Sequence, residues 1–168
     1  MARQRRDGQS FSLFYLDLDG LKRVNDVLGR GVGDAALRET AASLRGAMRR
    51  EDVAARIGGD EFAAVLSGGD GSEGTLVAER ARLAVKERID GQGGPITVSI
   101  GAVCFLEPPQ EEGEALAMAD ELMHVAKNGG RNRVMCRDYR DPRHTSAACG
   151  AGLRTQRASS AAASAALL

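Results

Sequence analysis

The sequence has no excess of either charge. Lys and Arg together number 23, Asp and Glu together 23, in a chain of 168 residues. A chain without a net positive field is a poor ligand for nucleic acid or an anionic bilayer surface, so no nucleic-acid partner is expected. Nor is there an uninterrupted apolar run near the roughly 18 residues that a membrane helix needs, so no membrane insertion is expected. The early apolar run Phe11 to Leu16 is short and leads straight into acids, which excludes a signal peptide. Cysteine is sparse. Cys104, Cys136 and Cys149 are odd in number and lack metal-ligand spacing, which argues against a disulfide scaffold or zinc site and suits a reducing cytoplasm. Lysine is scarcer than arginine, 3 against 20, and arginine is the better bidentate ligand for phosphate and guanine.

What remains is ordinary for one folded domain: 43% apolar residues, 27% charged, and a length able to bury roughly two-thirds of its unfolded surface. Residues 1–10 read as a basic leader, 11–137 as the domain, and 138–168 as an Ala/Ser-rich tail without periodicity, expected to be disordered. Phe11 to Leu18 is apolar on both faces until Asp17 and predicts a central strand covered on both sides. Leu21, Val24 and Leu28 repeat at helical spacing and stop at Gly29. Asp34 is placed to cap a second helix carrying Leu37, Ala41, Leu44 and Met48. Val53 to Ile57 and Phe62 to Leu66, joined by Gly58-Gly59-Asp60-Glu61, predict a hairpin.

Ser67 to Gly74 reads as a loop, followed by a helix with Leu76, Val77, Leu83 and Val85. Ile96 to Val103 alternates apolar residues with Thr97, Ser99 and Gly101, which predicts a strand with one packed face. Glu111 to Lys127 predicts a helix burying Leu116, Ala119, Met123 and Ala126, and Arg133 to Cys136 a last edge strand. The order β-α-α-β-β-α-β-α-β describes an α+β fold, helices packed around a central mixed sheet.

Two acidic groups stand out. Asp17 and Asp19 end a buried strand, and Asp60 and Glu61 sit at a hairpin tip. Carboxylates in such places are costly unless solvated or bound to something positive. Hard carboxylate oxygens suit Mg²⁺, which takes one or two of them and keeps its other positions for water and phosphate. Gly58 and Gly59 leave bare backbone that phosphate can approach. Each acid pair alone is more simply a strand-end or turn feature. Together they converge if the strands that carry them are neighbours.

Gly58-Gly59-Asp60-Glu61-Phe62 resembles the signature of the diguanylate cyclase, or GGDEF, family. Asp17-Leu18-Asp19-Gly20-Leu21-Lys22-Arg23-Val24-Asn25-Asp26 resembles its first metal-and-substrate segment, followed in register by Gly33-Asp34. Ala119-Asp120 and Ala126-Lys127-Asn128-Gly129-Gly130-Arg131-Asn132 resemble its closing segment. The resemblance covers about residues 11 to 135. It implies a core like the palm of nucleotide cyclases and polymerases, and condensation of two GTP into cyclic di-GMP with release of two pyrophosphates across a homodimer.

By that resemblance, Asp17, the Leu18 carbonyl and Asp60 would hold Mg²⁺ or Mn²⁺, and Asp60 or Glu61 would assist deprotonation of the attacking 3′-hydroxyl. Asn25 and a buried Asp34 would read guanine, with Arg30 close by. Lys22, Lys127, Arg131 and the Gly59 backbone would meet the phosphates. Arg49-Arg50-Glu51-Asp52 resembles the family's R-x-x-D product-inhibition motif, in which Arg49 and Asp52, with Arg80, would bind cyclic di-GMP; the plainer reading is an ordinary surface pair.

The sequence departs from the family pattern at Leu21 (usually Phe), Arg30 (often His) and His124 (often Tyr). The family's Asp-x-Leu-Thr…Asn-Arg helix has no counterpart before Phe11, so the start reads as shortened. An inactive domain that binds cyclic di-GMP or GTP is the alternative expectation. A scaffold domain fits poorly with so many phosphate-type residues at the motif positions, and a generic Mg²⁺ phosphohydrolase fits the positions of Asn25 and Asp34 less well.

Overall fold

The computed structural model describes residues 10–68, 71–90, 95–109, 111, 113–140 and 154–155. The expected leader, apart from Ser10, and most of the expected tail lie outside these residues. Strand β1 (Phe11–Asp19) leads through Gly20, with φ of 86°, into helix α1 (Leu21–Leu28). Helix α2 (Arg30–Ala47), the hairpin β2 (Val53–Arg56) and β3 (Glu61–Ser67), and helix α3 (Gly71–Asp90) follow. Then come β4 (Thr97–Phe105), α4 (Glu114–Asn128), β5 (Val134–Tyr139) and a two-residue β6 (Arg154–Thr155). Among the described residues no helix is long and apolar enough to cross a membrane.

The sheet order is β2-β3-β1-β4-β5-β6. β1 is antiparallel to both β3 and β4, while β4 and β5 run parallel. A strand flanked on both edges and covered on both faces has to be apolar on both faces, which is how FSLFYLDLD reads. Phe14, Leu16 and Leu18 pack beneath α1, α2 and α3, against residues such as Val24, Leu44 and Val85. Phe11 and Leu13 belong to the opposite core with Val103, Phe105 and the α4 residues Ala119 and Leu122. Phe11 and Phe105 stack there with centroids 4.7 Å apart.

Several expectations are corrected. β4 is buried on both faces, because α4 lies directly over Gly101: a Cβ there would come within 2.0 Å of the Ala119 carbonyl oxygen and 2.4 Å of the Met123 nitrogen. The buried stripe of α4 is Ala115, Ala119, Leu122, Met123 and Ala126. Leu116 is outside it, since small residues let the helix approach the sheet and push the larger Leu116 to the rim. Leu76, Leu83 and Leu28 are likewise exposed.

The segment expected to be a loop up to Gly74 is already helical from Gly71. Asp34 does not cap α2, which starts four residues earlier with Gly29 as its N-cap. β5 runs on to Tyr139, past the expected domain end, and β6 pairs outside it, so β5 is not the edge.

Candidate active site

The topology brings the two acidic groups together. β3 is the β1 neighbour that carries the hairpin tip, so Asp17 stands opposite Glu61 in register. The Leu18 N–H donates to the Asp60 carbonyl at 3.1 Å, tying the tip to the end of β1. The tip is closed by the Ile57 and Gly58 N–H groups, both donating to the Glu61 carbonyl. Arg56 grips it from outside, donating to the carbonyls of Gly58 (3.1 Å) and Gly59 (2.7 Å). A Cβ at Gly58 would crowd the Glu61 carboxylate, which would have to swing aside, whereas a Cβ at Gly59 would meet nothing within 4 Å. Tyr15 donates to Glu61 Oε1 at 3.1 Å, and burial, then the Glu61 contact, pushes its phenol up to about 12.

Asp17 is buried. Its Oδ2 lies 2.6 Å from Lys127 Nζ, while its Oδ1 has no hydrogen-bond partner. Burial raises its pKa, Lys127 opposes this, and Asp60 and Asp19 add to it. A buried carboxylate oxygen left open beside a second acid and a strand-end carbonyl is a donor set that fits a hard divalent cation. Among the described residues no three His, Cys, Asp or Glu side chains gather around one point, so the set is two carboxylates and a carbonyl at most.

The open oxygen has a stability consequence. An acid whose folded pKa is raised weakens the fold as pH climbs through that raised value, since the unfolded chain has already released the proton. Asp17→Asn is expected to raise Tm at pH 7, since burial is the largest cause of the raised pKa and asparagine brings no charge to bury. The gain should vanish below the ordinary carboxylate range. Thermal melts of both proteins across pH check this, and an unchanged or lower Tm for Asp17→Asn at pH 7 contradicts it.

Asp19 is differently placed. Its carboxylate accepts from Thr97 Oγ1 (2.8 Å), Ser99 Oγ (2.9 and 3.0 Å) and the Asn132 N–H (3.2 Å), and Arg131 Nε lies 3.8 Å away. It is therefore saturated by the chain itself. Thr97 and Ser99, polar positions on a strand covered on both faces, were the legible signal for a partner on β1. Tyr15 and Arg56 lie outside the motifs legible in the sequence, and Asn132 stands there only as the last residue of the closing segment.

Asn25, on α1, turns its side chain onto α2. Its Oδ1 is buried without a partner, in the space a Cβ at Gly33 would fill. That sets Asn25 beside the residue preceding Asp34. Asp34 is exposed rather than buried; it stands on the rim of a groove of about 370 Å³, also lined by Arg38, Arg45, Arg56 and Phe62. Lys22 is exposed on α1 and Arg30 is exposed at the first position of α2.

Arg49, Asp52 and Arg80 line one cleft of about 350 Å³ at the end of the hairpin away from its tip. Arg49 and Asp52 lie in the α2–β2 turn, not on a helix. Both Asp52 oxygens accept backbone N–H groups, from Arg49 (2.8 Å) and Ser67 (3.1 Å). The Arg49 guanidinium pairs with Glu73 on α3, and Arg80 donates to the Ala47 carbonyl.

The chain matches the family described as "Diguanylate cyclase, GGDEF domain" over residues 1–133, and it belongs to that family. It is 35% identical to diguanylate cyclase DosC of Escherichia coli K12 over 138 residues, 80% of this chain and 30% of that protein. It is 34% identical to diguanylate cyclase A of Treponema denticola over 129 residues, 75% of this chain and 35% of that one. The chain thus spans about a third of the length of these relatives. Among solved structures, the GGDEF domain of DgcB from Caulobacter crescentus, in complex with c-di-GMP, aligns with a TM-score of 0.72 at 32% identity, covering 80% of this chain and 82% of that one.

Proposed function

We propose that the chain is a cytoplasmic diguanylate cyclase that condenses two GTP into cyclic di-GMP, each protomer of a dimer holding one GTP. The observation that carries the reading is the meeting of Asp17, with its open Oδ1, and the Asp60 hairpin tip at one end of β1, next to Lys127 and Arg131. A divalent cation, Mg²⁺ or Mn²⁺, held by Asp17, the Leu18 carbonyl and Asp60 would neutralise phosphate charge and lower the pKa of the attacking hydroxyl.

The chain's own groups do the rest. Asn25 and Asp34 accept and donate hydrogen bonds at the guanine edge, with Arg30 beside them. Adenine lacks the N1–H and N2 donors that a carboxylate takes from guanine, so Asp34 would be left unmatched by ATP. Lys22, Lys127 and Arg131 set cations around the triphosphate, and the Gly59 backbone faces it. A Cβ at Gly59 would meet nothing of the chain within 4 Å, so its backbone stands open to an approaching phosphate. In-line transfer needs positioning and charge neutralisation more than covalent help. The 3′-oxygen of one GTP bonds to the α-phosphorus of the other, the bond to the pyrophosphate oxygen breaks, and the hydroxyl proton passes to Asp60 or Glu61. A second, identical step closes the ring.

The test is incubation with GTP and Mg²⁺ at a protein concentration high enough to pair protomers, with chromatographic separation of the nucleotides. Cyclic di-GMP and pyrophosphate in a 1:2 ratio are expected. No product, with or without cyclic di-GMP binding, contradicts the catalytic reading.

The Arg49 cleft is proposed as the site where product binds and inhibits. Two arginines facing one 350 Å³ cleft suit guanine and phosphate, with Asp52 completing the contact to guanine. Arg49→Ala is expected to weaken cyclic di-GMP binding about ten-fold or more by calorimetric titration. Wild-type affinity in that variant contradicts the assignment.

A further inference from the structure

Arg82 on α3 is 4% exposed, an unusual burial for an arginine. It lies outside every motif that the sequence offered. Its Nε donates to Glu79 Oε2 at 2.8 Å, which fixes the guanidinium, and its Nη1 donates to Asn132 Oδ1 at 2.8 Å. Asn132 closes an unusual turn. Gly130, Arg131 and Asn132 all have positive φ, at 112°, 62° and 46°. Successive left-handed residues, two of them not glycine, persist only where the surroundings over-determine them.

Here two contacts do so from opposite sides. Arg82 holds the Asn132 side chain, and Asp19 accepts the Asn132 N–H. Asp19 is itself locked to β4 by Thr97 and Ser99. The turn follows α4 directly and carries Arg131, whose Nε lies 3.8 Å from Asp19; Lys127, three residues before the turn, reaches Asp17.

We propose that Arg82 is a positioning residue: through Asn132 it holds the 130–132 turn on Asp19, and so sets where Lys127 and Arg131 meet the triphosphate. The inference rests on the GTP-binding reading above, but its physical core, the clamp on the turn, does not. Arg82 touches no substrate in this account. It acts by fixing two cations whose placement would otherwise follow a strained turn free to relax.

The test compares Arg82→Met, which keeps the apolar stem and loses the donor, with Arg82→Lys, which keeps a donor. Initial rates over a range of GTP concentrations separate KM from kcat. Hydrogen exchange at the Asn132 amide reports the clamp without any turnover. Arg82→Met is expected to raise KM for GTP about ten-fold with a smaller change in kcat, and to lose Asn132 protection while β1 and β3 amides stay protected. Arg82→Lys should restore much of both.

Should Arg82→Met not fold, Asn132→Gly carries the same test from the other side. Glycine accepts the positive φ and keeps the N–H while removing the side chain that Arg82 holds. Its KM should rise in the same way, and the residue-132 amide should lose protection. A wild-type KM together with wild-type amide protection in the folded variant overturns the proposal, as does a merely destabilised protein in which KM is unchanged. If the wild type makes no cyclic di-GMP, the cyclase reading fails on that result alone, and amide exchange still decides the role of Arg82.

Discussion

Asp60→Ala is expected to lower cyclic di-GMP formation at least about 10³-fold while leaving the fold as it is. The two halves of this expectation have separate physical origins. The contact that ties the hairpin tip to β1 runs from the Leu18 N–H to the Asp60 main-chain carbonyl, which alanine retains. The tip is also closed by the Glu61 carbonyl and by the Arg56 guanidinium, through hydrogen bonds in which the Asp60 side chain takes no part. Asp60 is half-buried, so its truncation opens no sealed cavity. What is lost is one of two carboxylates at the strand end, leaving Asp17 with its open oxygen and no partner acid across the tip. Product assays beside circular dichroism and a thermal melt check it. A variant making cyclic di-GMP within ten-fold of wild type, at the same Tm, would contradict the role given to Asp60.

The second large effect concerns the fold. Gly101→Ala is expected to cost about 3 kcal/mol, a fall in Tm of roughly 6–12 °C. The new methyl would point at the backbone of α4, 2.0 Å from the Ala119 oxygen and 2.4 Å from the Met123 nitrogen. A flexible side chain could swing away from such a clash; a helix backbone can only be displaced as a body. Moving α4 would unseat Ala115, Ala119 and Ala126 from their core and carry Lys127 away from Asp17. Both stability and nucleotide affinity should therefore fall. Thermal melts and GTP titration measure them, and a wild-type Tm for Gly101→Ala contradicts the packing described for α4.

The parts of the fold that the sequence made legible are those where local chemistry and tertiary context agree. Phe11 to Asp19 is apolar on both faces because it is the central strand, and the Gly58–Glu61 turn closes a hairpin for reasons internal to its few residues. Where the two levels part, the reading slipped. Leu116 fits a helical stripe, but α4 docks through alanines, so the large residue is left outside. The alternation of Thr97, Ser99 and Gly101 looks like a solvent face; in fact Gly101 admits a helix and the two hydroxyls serve Asp19.

Asp34 was given a capping role that α2 does not need, and a burial it does not have. The contacts of Asp19 and Arg82 span 113 and 50 residues in sequence, and no local pattern announces a pairing of that reach.

The central claim is that Asp17 and Asp60 hold one divalent cation on which a nucleoside triphosphate rests. Anomalous diffraction from crystals grown with Mn²⁺ and a non-hydrolysable GTP analogue tests it most directly. A peak is expected within about 2–2.3 Å of one oxygen each from Asp17, Asp60 and the Leu18 carbonyl, with a phosphate oxygen completing the shell. A peak reached by only one of these carboxylates, or nucleotide bound with no peak between them, would contradict it.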